Sequence, residues 1–385
     1  MLPTDALLLG LCRYPFPESR RAGLTEAIQA NDDWPEFFRK CAAWEVEPVV
    51  MANLRTHYAH VLRPEILSQA RLVEHQARAR ALSQALMVVD LVNNLDTAGI
   101  ETIVLKGPAV GIVAYGDASL RSFSDVDLLV HKADLTRARD VLYSLKYVAD
   151  YDPAWEAKLV SQQHALEFTG ERLRVELHSS LLPRHLRFRL PEPDLWLASE
   201  EVACGPSTMR TLAAPDLFLY LCAHGAKHIW ERVRWIADIS QLAPLLDDTE
   251  VRRLLKMART TNSVRLVALA IHIARDVLGD FRTHLDGHLD DQRATNALVH
   301  QVRSRLGFNP PSGRKDIASR LDPRLEPLVF WIRCRERSLD RIASLVFTFF
   351  VPTQNDSRLP LIGWIQRPFR LLMRALQVTK RFGTP

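Results

Sequence analysis

The sequence predicts an α+β protein in which a small mixed sheet, within residues 100–190, is enclosed by helices that precede and follow it. Three observations carry this. Apolar residues recur at helical spacing from about Thr4 to Gly99 and again from Leu212 onward, the period of a helix with one buried face. Between these regions, apolar runs at Ile103-Val104-Leu105 and Leu128-Leu129-Val130, and alternating segments on either side of Gly170, have the length and pattern of strands. Glycine turns at Lys106-Gly107-Pro108, Gly116-Asp117 and Gly170-Glu171-Arg172 punctuate those runs.

Taken in order, residues 5–12 make an amphipathic turn or two. Asp33-Trp34-Pro35 opens a helix whose apolar face is Phe37, Phe38, Cys41 and Trp44, with Asp as the cap and Pro suited to the first turn. Helices follow over 49–57 and 64–97, and Gly99 suits the left-handed residue that ends the second. A buried strand then runs to Leu105, and residues 109–115 form a short packed helix. In Ser124 to Val130 the strand alternation puts Asp125 and Asp127 on one face and Val126 and Leu128 on the other. A helix over 132–145 leads through 147–151 to a hairpin of 163–169 and 174–181, whose second arm puts Glu176 and His178 on one face. Residues 191–211 read as a mixed segment. Residues 212–246 read as two helices meeting near His224-Gly225. Amphipathic stretches at 251–278 and 291–306, a linker at Asn309-Pro310-Pro311-Ser312-Gly313, an apolar unit at 325–350 and a basic amphipathic stretch at 364–382 complete the chain. The last suits a membrane surface or an acidic partner, and more often such a stretch is a docked helix with a solvated basic face. The boundaries implied are 1–99 (helical), 100–190 (sheet core), 191–308 (helical, packed on the core) and 309–385 (a final helical unit).

At 385 residues with 47% hydrophobic content, the chain can bury a full core. No run of eighteen uncharged apolar residues occurs, and the first twenty residues lack a basic start followed by a long apolar core, so a cytoplasmic protein with no membrane span is expected. The five cysteines have no paired spacing, which argues against a zinc site or a disulfide frame. A net charge of +5 suits a polyanionic nucleotide without demanding a nucleic acid.

The chemistry concentrates at the aspartates. Two carboxylates held together on one strand repel, and the arrangement makes sense with a hard divalent cation between them, since magnesium takes carboxylate oxygens together with substrate phosphates. Glu176 brings a third carboxylate on another strand. His224 and His228 lie one turn apart if their helix continues, as zinc ligands can, but neither a Glu after the first His nor a nearby third ligand accompanies them.

These residues carry a resemblance. Leu105-Lys106-Gly107, Tyr115, Arg121 and Asp125-Val126-Asp127-Leu128-Leu129-Val130, followed by Glu176-Leu177-His178, resemble the nucleotidyltransferases of the DNA polymerase β superfamily, and most closely the bacterial family described as uncharacterised nucleotidyltransferase. His224, His228, Trp230, Arg234, Trp235 and Asp238 match a further pattern of that family. The resemblance implies a polymerase β-type sheet and transfer of a nucleoside monophosphate from a nucleoside triphosphate such as ATP. Asp125, Asp127 and Glu176 would hold Mg2+, with Glu176 also taking a proton from the acceptor. Lys106, Gly107 and Arg121 would lie at the phosphates, where the superfamily more usually has Gly-Ser. His178, His224 and His228 are expected at the nucleotide, although the two helix histidines could equally hold their helix to the sheet. The acceptor, whether small molecule, peptide or RNA, is left open. The rival reading is a catalytically degenerate protein that binds a nucleotide or a partner protein without transferring anything.

Overall fold

Strand β2 (Asp125–Val130) lies at the centre of a seven-stranded mixed sheet with the order β3-β4-β5-β2-β1-β7-β6. The other strands are β1 (Thr102–Val104), β3 (Val148–Ala149), β4 (Ala165–Thr169), β5 (Arg174–His178), β6 (Glu200–Cys204) and β7 (Ser207–Thr211). β2 pairs antiparallel with β1 and parallel with β5. The computed structural model describes residues 3–14, 16, 21–151, 165–289, 292–308 and 325–350. The 309–313 linker and the basic 364–382 stretch therefore lie outside the described residues, as does the start of the expected first hairpin arm.

The alternation read from the sequence sorts the side chains onto two faces. Val126, Leu128 and Val130 join Val175, Leu177, Leu166 and Phe168 in a cluster closed by helices α5 (Pro64–Thr97) and α7 (Leu135–Ser144). Each such side chain, fully buried, is worth about 1.5–3 kcal/mol over leaving it in water. The opposite face carries Ile103, Leu105 and Leu129 into a larger cluster that runs from Leu7 to Cys334. It draws in the N-terminal helices α1 (Pro3–Gly10), α2 (Arg21–Gln29), α3 (Trp34–Ala43) and α4 (Glu47–Tyr58), and also α6 (Pro108–Tyr115). Asp125, Asp127, Glu176 and His178 project toward this second face, where the helices leave a gap.

The expected caps are in place. Asp33 accepts from the Glu36 backbone N–H at the start of α3, with Pro35 in the first turn, and Gly99 adopts φ +68° after α5. The segment 191–211 holds more order than the sequence reading assigned it. A helix, α8 (Glu192–Ala198), precedes the β6–β7 hairpin, and β7 extends the sheet by lying parallel to β1, with Thr211 Oγ1 donating to Val104 O at 2.8 Å. The two-helix reading of 212–246 holds, but the junction is displaced. Helix α9 (Ala214–Lys227) runs straight through Gly225, and α10 (Val233–Leu242) begins after a turn at 228–232. Gly225 serves that turn instead, because the Trp230 ring lies where its Cβ would be.

Behind α9 and α10 come α11 (Asp248–Thr260) and α12 (Val264–Leu278), then α13 (Gln292–Arg305), α14 (Glu326–Cys334) and α15 (Ser338–Phe350). No helix among the described residues is long and apolar enough to cross a membrane.

Candidate active site

Strand register places the carboxylates. Asp127 on β2 pairs with Glu176 on β5, and Glu176 pairs in turn with Glu167 on β4, so three carboxylates stand level across adjacent strands, spaced by the roughly 4.8 Å of a sheet. His178 lies two residues along β5, on the same face. Its Nε2 is 3.1 Å from Asp127 Oδ1 and 3.3 Å from Glu176 Oε2. Lys106 Nζ is 2.9 Å from Asp127 Oδ1 and 3.3 Å from His224 Nε2.

The charges follow from this geometry. Burial pushes the Asp127 carboxyl up, but the Lys106 ammonium and the His178 imidazole outweigh it and hold the group well below the usual carboxylate range. Glu176 is likewise opposed by burial and by Asp127, yet its hydrogen bond from His178 keeps it ionised. Burial works against a charged His178, and its two carboxylate partners prevail and raise its pKa.

Asp127, Glu176 and His178 can each offer a ligand atom within 4.8 Å of the others. Asp127 Oδ2 is buried with no hydrogen-bond partner among the described residues, a state that normally costs free energy unless something else uses the lone pairs. A divalent cation fits this donor set. With its Nε2 protonated, His178 clamps the two carboxylates; once Nε2 loses that proton, the same atom becomes a third donor. Asp125, one pleat earlier, is half-buried, accepts from Ser124 Oγ at 3.3 Å and lines the same cavity, outside the three-donor group.

The strand-to-helix turn stands beside the carboxylates. Gly107 has φ +65° and ψ −128°, and an added Cβ would meet the Phe123 ring and Val126. Leu105 N donates to Asp127 O at 2.8 Å, tying the turn to β2. Arg121, expected at the phosphates, is buried and fully engaged. It forms a two-pronged ion pair with Asp238 of α10 at 2.8–3.1 Å and donates to Gly107 O at 3.3 Å, while Tyr115 Oη donates to the same carboxylate. Asp238, 117 residues from Arg121 in sequence, therefore anchors the turn from behind. Lys106, also expected at the phosphates, is only 7% exposed and lies against Asp127 and His224.

The end of α9 forms the facing wall. His224 and His228 have ring centroids 4.8 Å apart, with Trp235 at 5.0 and 5.4 Å from them. Burial first, then the nearby lysines, hold both imidazoles neutral, and His228 is pushed down to about 3. His224 lies against Lys106 and both histidines lie against Trp235, and they stand apart from the three-donor group. Arg234 Nη1 donates to Ser122 O at 2.6 Å, and Arg232 pairs with Glu45 at 2.7 Å. A cavity of about 330 Å3 separates this wall from the sheet.

A row of carboxylates on central strands, flanked by a buried ammonium and facing a cationic helix end, defines a site suited to a divalent cation and an anionic ligand. The sequence model of the family described as uncharacterised nucleotidyltransferase matches residues 30–279, and the chain belongs to that family. The match takes in all the site residues described above. No curated protein matches the chain.

The structure thus gathers Lys106, Gly107, Arg121, Asp125, Asp127, Glu176, His178, His224 and His228 around one cavity, with the Arg121 guanidinium held by Asp238 and Gly107 O. The sequence reading missed Glu167 and Lys227. Glu167 was open to detection, because the Gly170 turn sets the β4–β5 register that puts it opposite Glu176. Lys227, at the end of α9, carries no local signal.

Proposed function

We propose that the chain is a magnesium-dependent nucleotidyltransferase that moves a nucleoside monophosphate from a nucleoside triphosphate to an acceptor. The observation that carries this reading is the buried Oδ2 of Asp127, without a hydrogen-bond partner among the described residues, within the carboxylate row. Family membership supports the reaction class. Asp127 and Glu176 would hold the cation, with Asp125 at the mouth; when bound, the cation neutralises phosphate charge and polarises the phosphoryl oxygens. Glu176, ionised and 32% open at its side chain, takes the acceptor's proton. The acceptor oxygen or other nucleophile bonds to the α-phosphorus as the bond to the departing pyrophosphate breaks. Gly107 lets the backbone of its turn approach the phosphates, and the Arg121–Asp238 pair keeps that turn in place.

The test is to incubate the full chain with each α-labelled nucleoside triphosphate, magnesium and cell extract, and to follow transferred label. Glu176→Gln should cut transfer by about two to four orders of magnitude, the scale of a lost general base. If Glu176→Gln keeps wild-type turnover, Glu176 is not the general base; if the wild type binds the nucleotide but transfers no label to anything in the extract, the chain is a binder and not a transferase.

A further inference from the structure

Six cationic side chains line the cavity, and five of them already have partners. Lys106 is on Asp127, Arg121 on Asp238, Arg232 on Glu45, and Arg234 on Ser122 O and Glu45. Arg174, largely exposed, lies 3.6 Å from Asp150 and 3.9 Å from Glu167. Lys227 differs from all of these, since among the described residues its ammonium makes no hydrogen bond or ion pair. Burial, followed by Lys106, pushes its pKa down, while Glu176, Asp127 and Glu167 across the cavity push it up.

Its placement is rigid. Lys227 is the last residue of α9, and the helix is closed there by two backbone bonds from His228 N, to His224 O and Gly225 O, and by Trp230 N donating to Gly225 O at 2.8 Å. Ile229 and Trp230 both take left-handed backbone angles, φ 54° and 53°, so the chain makes a tight reversal immediately after the lysine. The buried Trp230 indole lies on Gly225. The backbone of a lysine with no ion pair among the described residues is thereby fixed at the cavity wall opposite the carboxylate row.

We propose that Lys227 receives the polyphosphate of the bound nucleotide, whereas Lys106 stays with the sheet carboxylates. The inference rests on the nucleotide reading above and assigns the phosphate contact to a residue outside the Lys106-Gly107 turn. An ammonium with no partner among the described residues gives up none when it takes a phosphate oxygen, whereas Lys106 already lies against Asp127 and His224.

Calorimetric titration of the full chain with inorganic tripolyphosphate in magnesium buffer, alongside a nucleoside monophosphate, tests this. Lys227→Met should weaken tripolyphosphate binding by about tenfold to a hundredfold, the range for one hydrogen bond to a charged group. Lys227→Arg should restore most of that loss, and monophosphate affinity should change far less. Lys227→Gln, which keeps a polar end, serves as a second variant with the same expected loss. If the wild type binds tripolyphosphate and the Met and Gln variants bind it equally well, the assignment to Lys227 is overturned and the nucleotide reading stands. If the wild type binds neither tripolyphosphate nor any nucleoside triphosphate, the nucleotide reading falls and takes this assignment with it.

Discussion

Asp127 Oδ1 faces both Lys106 and His178, while its Oδ2 has no partner among the described residues. Replacing the carboxylate with an amide leaves the Lys106 ammonium buried without its counter-charge, and breaking a buried pair from one side typically costs about 3–5 kcal/mol. Asp127→Asn is therefore expected to abolish transfer and also to lower the stability of the metal-free protein, read by urea unfolding in chelator. Unchanged stability would mean that the pair contributes nothing. Repulsion between Asp125 and Asp127, considered alone, predicts the opposite sign; the cations from positions 106 and 178 reverse it. His228 sets a second expectation at this scale. Its folded pKa, about 3, is below the ordinary histidine value, so its contribution to stability is complete above about pH 6.5 and is lost as pH falls toward the folded value. His228→Gln should flatten the acid limb of the stability curve between about pH 6.5 and 4, by less than the ~1.4 kcal/mol per pH unit of a fully buried group. Parallel curves for wild type and variant would show that His228 protonates freely in the folded state.

At the scale of the element, the reversal that joins α9 to α10 controls the helical wall. Gly225 is in a helix interior, where alanine is ordinarily the better residue, but here an added Cβ would lie 2.6 Å from ring carbons of Trp230. Trp230 is fully buried and has φ 53°, so the indole cannot swing away cheaply. Gly225→Ala should cost about 1–3 kcal/mol through overpacking and raise KM for the nucleotide through displacement of Lys227 and His228. Thermal unfolding and steady-state kinetics read the two halves separately; a stabilised variant with unchanged KM would show that the turn has slack.

For the whole molecule, one apolar cluster joins the N-terminal helices, one face of the sheet and the helices as far as Cys334. A cation bound at the carboxylate row should therefore stabilise the molecule beyond the strands that hold it. Titration with magnesium or manganese is expected to raise Tm with the logarithm of metal concentration, by the equivalent of about 2.7 kcal/mol at a hundred times Kd. Lys106→Ala should lower the metal-free Tm and respond to metal more strongly than the wild type, because the cation then replaces the positive charge that Asp127 has lost. An equal response in the two proteins would show that Lys106 and the metal do not share Asp127.

What the sequence determined by itself was local. Strand alternation put Asp125 with Asp127 and Glu176 with His178, glycine and aspartate marked the ends of α3 and α5, and the Gly170 turn set the β4–β5 register. These depend on a period of two, a cap or a turn, all of which act over a few residues. Tertiary structure decided which groups face one another. The contacts between Lys106 and His224 and between Arg121 and Asp238 span 118 and 117 residues, so only the docking of α9 and α10 against the sheet could reveal them. The same docking buried Arg121 against Asp238 and Gly107 O and left Lys227, among the described residues, as the cavity cation with no hydrogen bond or ion pair. It also brought β7 beside β1. Charge at a position is legible in a sequence; the partner that satisfies it is set by packing, because burial and opposing charge act through space and not along the chain.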